Sequence, residues 1–573
     1  MLYRLIYAIT SGLRLLGNLR RRLGKPPDHV VFVLEGPYSE LPEPRAGFLR
    51  RRLFPRRQSM AELAEQLRAV ADDPRVQGVV LHLRPLNMPL AQVQTLRDLI
   101  GELRSAGKRV VAWSHSYENT NYYAACAADE VLLQPGGFAL PLGLRIGFVF
   151  LADALKRVGL KAQFVQISPY KSAGDQLSRT SMSDEMREMI DWLTDDMFAG
   201  FIDAIAEGRG LDADAARALV DNAPYDDLKA IEAGVVDATI GEEDLPSYLG
   251  SQERPARLAS WEAARRRLLR RPPDPPGRYV ALLRIEGDIV DGHSERPPSG
   301  VPAPLRTVLR QRAGDISVVQ DARRVLRDRR AAAVVVYVNS PGGSSTASEA
   351  MAAALEKIAD TRPVVVAMGA VAGSGGYYVA TTARWIVAQP WTLTGSIGVL
   401  AGKISDVGLM DRLLLRPETV TRGRRAAMFS SDKPFSLEER EILSASNDRV
   451  YQLFLDRVAR SRKMTTEEVN EVGGGRVWTG RQAMDHGLVD ELGGVERAID
   501  KARELAGLHP RTRVREVPPA RVREVPPGKG PLQSLVPQPA AFLDYGLDGV
   551  RMFNRGTPMY LCTLLWDEGL DGL

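Results

Sequence analysis

The stretch ADEVLLQP, residues 128–135, is written again 255 positions later as ARWIVAQP, residues 383–390. The same offset lays NYYAA (121–125) over GYYVA (376–380), Gly143 over Gly398, Val110 over Val365 and Val165 over Val420. With small slips the match runs outward: VVFVLEG ending at Gly36 answers VALLRIEG ending at Gly287, and GVVD (234–237) answers GLVD (487–490). A period this long is a duplicated domain rather than a solenoid, whose repeats span tens of residues.

Each copy alternates short β-branched runs with helical stretches. In the second copy these are Val334–Val338, the turn NSPGGS (339–344), a helix near Ser348–Ala359 and the run Val364–Ala367. Strands alternating with helices predict parallel βα units and an α/β fold. The copies occupy residues 29–250 and 279–508. Between them, residues 251–278 include RRRLLRRPPDPPGR (265–278), a basic, proline-dense linker. The tail 509–573 is Pro-rich, with the tandem units RVREVPPA and RVREVPPG starting at Arg513 and Arg521; it reads as extended and peripheral, although YLCTLLW (560–566) is apolar enough to dock.

A chain of 573 residues with 44% hydrophobic content can bury several cores. Its net charge of +5 is small but concentrated at Arg20–Arg22, Arg50–Arg52 and Arg265–Arg271. These clusters suit solvated faces or anionic lipid headgroups, and no motif beside them indicates nucleic acid. Cys126 and Cys562 are far apart, which argues against a disulfide framework or a cysteine metal site.

Residues 1–28 begin MLYRLIYAITSGLRLLGNLRRR, whose longest uncharged stretch falls well short of the roughly 20 apolar residues of a spanning helix. Leu2, Leu5, Ile6, Ile9, Leu13 and Leu16 share a helical face, which leaves two readings open: an amphipathic membrane-surface anchor or a helix docked on the protein. The uncharged stretch Pro363–Ala383 could also pass for a span. Its counterpart Lys108–Ala128 carries Lys108, Arg109, His115 and Glu118, so both are expected to be buried globular elements.

Chemistry concentrates in AVAGSGGYYVATT (370–382), where Ser374 follows an apolar run and precedes a helical turn. A serine in such a turn can be a nucleophile, or simply a helix N-cap. The N–H groups of Gly375, Gly342 and Gly343 could form an oxyanion hole there. No histidine is sequence-adjacent to serve as base. The duplication offers one: Ser374 falls on Asn119, and Gly342 and Gly343 fall on Asn87 and Met88, whereas Lys171 of PYKSAGD falls on Ala426. Serine and lysine are each kept in only one copy, as expected if two degenerate copies share one site. To act as base the lysine must be neutral, which burial in apolar surroundings promotes.

GSGGYY, NSPGGS, LTGSIG, PYKSAGD and RVWTGRQAMDHGLVDELGG together resemble the S49 serine peptidases, in their long, duplicated bacterial form, over about Val30–Leu508. The resemblance implies a tandem ClpP/crotonase-like ββα fold and a Ser/Lys dyad of Ser374 as nucleophile and Lys171 as general base, with Ser396 orienting the lysine. It also implies hydrophobic, extended peptide substrates such as cleaved signal peptides, no cofactor and no metal. A homo-oligomer, with a tetramer favoured, is implied at the membrane of the bacterial cell envelope; the periplasmic face follows from the resemblance, with the cytoplasmic face left open. Two other readings compete: a crotonase-like acyl-CoA enzyme, and a non-catalytic scaffold at the membrane surface. Gly373 stands where alanine is common in the family.

Overall fold

A computed structural model describes residues 2–43, 58–273, 277–296, 311–517, 523–524 and 559–561. Arg50–Arg52, Cys562 and most of the Pro-rich tail lie outside the described residues. The chain forms two compact units. One takes residues up to Ile146 and Thr194–Gly277; the other takes Gly147–Leu193 and the described residues from Arg278 to Leu561.

In the first unit, His29–Leu34, Gly78–Leu83, Arg109–Glu118 and Glu130–Leu140 are successive parallel neighbours. Gly78–Leu83 is buried along its whole length, as expected of a central strand covered on both faces. The presumed linker is not merely a linker: Leu258–Ser260 adds a parallel strand beside His29, followed by the helix Trp261–Ala264.

In the second unit the equivalent strands Tyr279–Glu286, Ala331–Ser340 and Val364–Gly373 pair in the same parallel order. Trp385–Ala388 and Leu393–Gly395 both pair with Val364–Gly373. Their counterpart in the first unit is the single strand Glu130–Leu140, which pairs in two registers with a shift between. The 255-residue offset thus holds in three dimensions, and Pro363–Ala383 is a buried strand and helix as expected. No helix among the described residues is long and apolar enough to cross a membrane. The NSPGGS stretch differs from a simple turn, since Gly342–Ser344 forms a short strand beside Asp288–Val290. The tail also differs, because Val514–Glu516 extends the sheet beside Tyr279–Glu286.

Where the offset fails is informative. The helices Ala152–Val158 and Val407–Arg412 still correspond, yet the strand Lys161–Gln166 has no partner at 416–421, where Val420 is exposed. Conversely, Leu400–Ser405 is a strand whose counterpart 145–150 is not. Each copy has a strand where the other has none, and the two pair antiparallel within the second unit, from Leu400 opposite Gln166 to Ser405 opposite Lys161. This pairing carries Gly147–Leu193 out of the 29–250 domain expected from the sequence.

Candidate active site

The strand Val364–Gly373 and the helix Gly375–Ala380 meet at Ser374, which is fully buried with φ 53° and ψ −112°. Such a conformation costs a non-glycine residue on the order of 1–3 kcal/mol and persists only where its surroundings hold it. Here the Ser374 N–H donates to Gly395 O at 2.8 Å and the Ser374 carbonyl accepts from Tyr378 N at 2.7 Å. The close glycines are required. A Cβ on Gly375 would lie 2.7 Å from Ser348 Oγ and 3.1 Å from Gly342 Cα, and one on Gly376 would lie 2.7 Å from Ser340 O.

Lys171 stands at the end of the loop after Lys161–Gln166, and its side chain is also fully buried. Its Nζ lies 2.7 Å from Ser374 Oγ, 2.8 Å from Ser396 O and 3.0 Å from Ser396 Oγ. Ser396 has φ 50° and is anchored by its N–H to Arg476 O at 2.6 Å. Ser374 Oγ also faces Gly398 O at 3.5 Å. A second buried lysine in this unit, Lys403, makes a useful contrast: its amine donates to the carbonyls of Met428 and Ser430 at 2.7 and 3.0 Å. Lys403 ties a loop, whereas Lys171 faces two hydroxyls.

Gly342 and Gly343 lie beside the serine turn as expected, but the Gly342 N–H donates to Ser340 Oγ at 3.1 Å. The twin positions have changed use. Asn119, the counterpart of Ser374, donates to Gly143 O at 2.8 Å and accepts from Gly143 N at 3.1 Å. Ala426, the counterpart of Lys171, is exposed. Among the described residues no histidine bonds Ser374.

Sequence reasoning missed what holds Lys171 in place. The segment Gly473–Trp478 packs directly on its backbone: a Cβ on Gly475, at φ +95°, would lie 2.6 Å from both Lys171 N and Lys171 Cα. Gly475 N donates to Ile397 O at 2.8 Å, and Ser168 Oγ donates to Gly474 O. Beside it Trp192 stacks on Trp478 at 4.8 Å, and the Arg476 guanidinium lies 4.0 Å over the Tyr170 ring. The GGG at 473–475 was the available signal, since three successive glycines mark a close approach of backbone.

The Peptidase family S49 model matches residues 102–252 and 356–509. The chain is 32% identical over 462 residues to Serine protease SPPA, chloroplastic, of Arabidopsis thaliana, covering 78% of this chain and 66% of that one. It is 31% identical over 491 residues to Protease 4 of Salmonella typhi, covering 81% and 76%. A shorter match, 33% identical over 183 residues, joins it to Putative signal peptide peptidase SppA of Enterococcus faecium, covering 32% and 53%. With both halves matched by the family model, and with relatives aligned across both copies, the chain belongs to peptidase family S49 and is a serine peptidase.

Proposed function

We propose that the chain is an endopeptidase in which Ser374 is the nucleophile and Lys171 the general base, acting on extended, hydrophobic peptides such as cleaved signal peptides. The observation that carries this reading is the 2.7 Å separation of Lys171 Nζ and Ser374 Oγ in a fully buried setting. Burial disfavours an ammonium ion, and the neutral amine takes the Ser374 proton as Oγ attacks the scissile carbonyl. The N–H groups of Gly375 and Gly343 stabilise the tetrahedral oxyanion, while Gly342, whose N–H is directed at Ser340, shapes the turn. Lys171 then returns the proton to the leaving amine, and water resolves the acyl-enzyme by the same route. Ser396 holds the amine on line from its hydroxyl and carbonyl.

The signal-peptide class rests on the family resemblance and on the name of the Enterococcus relative. An acyl-CoA enzyme or a scaffold would have no use for a lysine buried against Ser374. Hydrolysis of a fluorogenic hydrophobic peptide is the test: the protein should cleave it and Ser374→Ala should not, with the unfolding midpoint unchanged.

The helix Leu2–Arg22 supports a place on the membrane surface. Its polar face is tied down by Arg14 Nη1 to Arg271 O and Asn18 Nδ2 to Arg270 O, both 2.8 Å, while Ile9, Leu13, Leu15, Leu16 and Leu19 are exposed. An apolar face bordered by Arg20–Arg22 suits an anionic bilayer in the bacterial envelope. Sedimentation with anionic vesicles should be lost in Leu13→Glu/Leu16→Glu. A homo-oligomer, expected from the family, is checked by sedimentation equilibrium.

A further inference from the structure

In the second unit the lysine loop and the Ser396 turn are joined through one strip of backbone, Gly473–Arg476. Ser396 N donates to Arg476 O at 2.6 Å, Gly475 N donates to Ile397 O at 2.8 Å, and Gly474 O accepts from Ser168 Oγ. Lys171 N in turn donates to Ser168 O at 3.1 Å. Three successive glycines have no side chains to fix their path, and Gly474 and Gly475 take φ of +65° and +95°. Such a strip keeps one course only if its neighbours hold it.

The helix Leu437–Arg462 supplies a hold. Tyr451 Oη accepts from Gly474 N at 2.8 Å and donates to Asn470 Oδ1 at 2.8 Å, with its ring in the hydrophobic core. Burial raises the phenol above its ordinary value, so the hydroxyl keeps the proton it gives to Asn470.

The duplication isolates this contact. The helix Asp184–Arg209 is the counterpart of Leu437–Arg462 at an offset of 253 (437 minus 184), which also lays the ion pair Arg209–Asp237 on Arg462–Asp490. At that offset Tyr451 falls on Phe198, Asn470 on Arg217, and Gly473–Gly475 on Val220, Asp221 and Asn222. The two side chains meet in both copies, since the Arg217 guanidinium lies 5.0 Å over the Phe198 ring. Packing at this position therefore asks for a ring. The hydroxyl and the glycines occur only in the unit that holds Lys171.

We propose that Tyr451 is a positioning residue for Lys171: its hydroxyl fixes Gly474, and through Gly475 and Arg476 it keeps Lys171 and Ser396 in line with Ser374. The effect on rate rests on the peptidase reading.

Tyr451→Phe is the test, because the same fold carries phenylalanine at the equivalent position. It strips the buried Gly474 N–H of its acceptor and frees the strip to shift. Steady-state kinetics should show kcat down about tenfold with KM within about twofold of wild type. Tyr122→Phe is the control: it removes another buried tyrosine hydroxyl, bonded to Val235 O at 2.9 Å in the first unit, and should leave kcat unchanged. In a Gly475→Ala chain, whose strip is already displaced, adding Tyr451→Phe should cost less than about threefold. A folded Tyr451→Phe with kcat within about twofold of wild type, or losses that multiply in the double variant, overturns the proposal.

Hydrogen exchange read by mass spectrometry needs no activity. Segments 168–172 and 473–476 should exchange faster in Tyr451→Phe than in wild type, and no faster in Tyr122→Phe. Unchanged exchange in Tyr451→Phe also overturns the proposal. Faster exchange there, with no peptide cleaved by the wild-type chain, would leave the hold on Lys171 standing and remove the peptidase reading.

Discussion

Lys171 Nζ lies 2.7 Å from Ser374 Oγ across 203 residues of sequence, and both side chains are closed off from solvent. The lysine comes from the first copy of the duplication and the serine from the second. They meet because Gly147–Leu193 folds with the second copy through the paired strands Lys161–Gln166 and Leu400–Ser405. One compact unit therefore holds both Lys171 and Ser374.

Removing the Ser396 hydroxyl should slow the chemical step without loosening the fold. Ser396→Gly keeps the positive φ at no steric cost while deleting one bond to Lys171. Steady-state kinetics should show kcat down about tenfold, the equivalent of one hydrogen bond, with KM nearly constant and the unfolding midpoint within a degree or so.

Gly475→Ala should act through Lys171. The added methyl would sit 2.6 Å from the lysine's backbone, where only a shift of one chain segment relieves it. A displacement near 1 Å at a reacting group costs roughly 100-fold, so kcat should fall by about that factor. Circular dichroism should remain that of the wild type.

Asn119→Ala separates the two copies. It removes both bonds to Gly143 in the first unit and should destabilise the protein by about 1–2 kcal/mol, seen as an earlier thermal transition. Peptide hydrolysis below that transition should be unaffected, because Asn119 has no part in the chemistry.

Asp175, four residues after Lys171, gives a pH signature. Burial pushes its carboxyl up to about 6 from an ordinary 3.8. The folded chain then holds this proton to a higher pH than the unfolded chain does. The group's contribution favours folding most below 3.8 and declines as pH rises through 6. Asp175→Asn should remove that decline, so that denaturation midpoints of variant and wild type diverge from pH 4 to 6, with the variant the more stable at pH 7.

Much of this architecture is legible in the residues. The offset that superposes ADEVLLQP on ARWIVAQP also superposes Asn119 on Ser374 and Ala426 on Lys171, and complementary loss singles out the pair. Alternating β-branched runs give the parallel strands. The same offset misleads at Val165 and Val420, because equivalent positions in a duplication can diverge into strand and exposed loop. Which compact unit a segment joins depends on long-range pairing, here Leu400–Ser405 with Lys161–Gln166, and no local periodicity encodes it. Gly473–Gly475 escaped notice for a related reason: glycines announce close approach but not what approaches.

The most direct measurement is kcat/KM of Lys171→Met, an apolar replacement of similar length, on a fluorogenic hydrophobic peptide beside wild type and Ser374→Ala. If Lys171 is the base for Ser374, both variants fall to a common floor at least about 10⁴-fold below wild type while their thermal transitions show folded protein. Hydrolysis by folded Lys171→Met within tenfold of wild type would contradict the dyad.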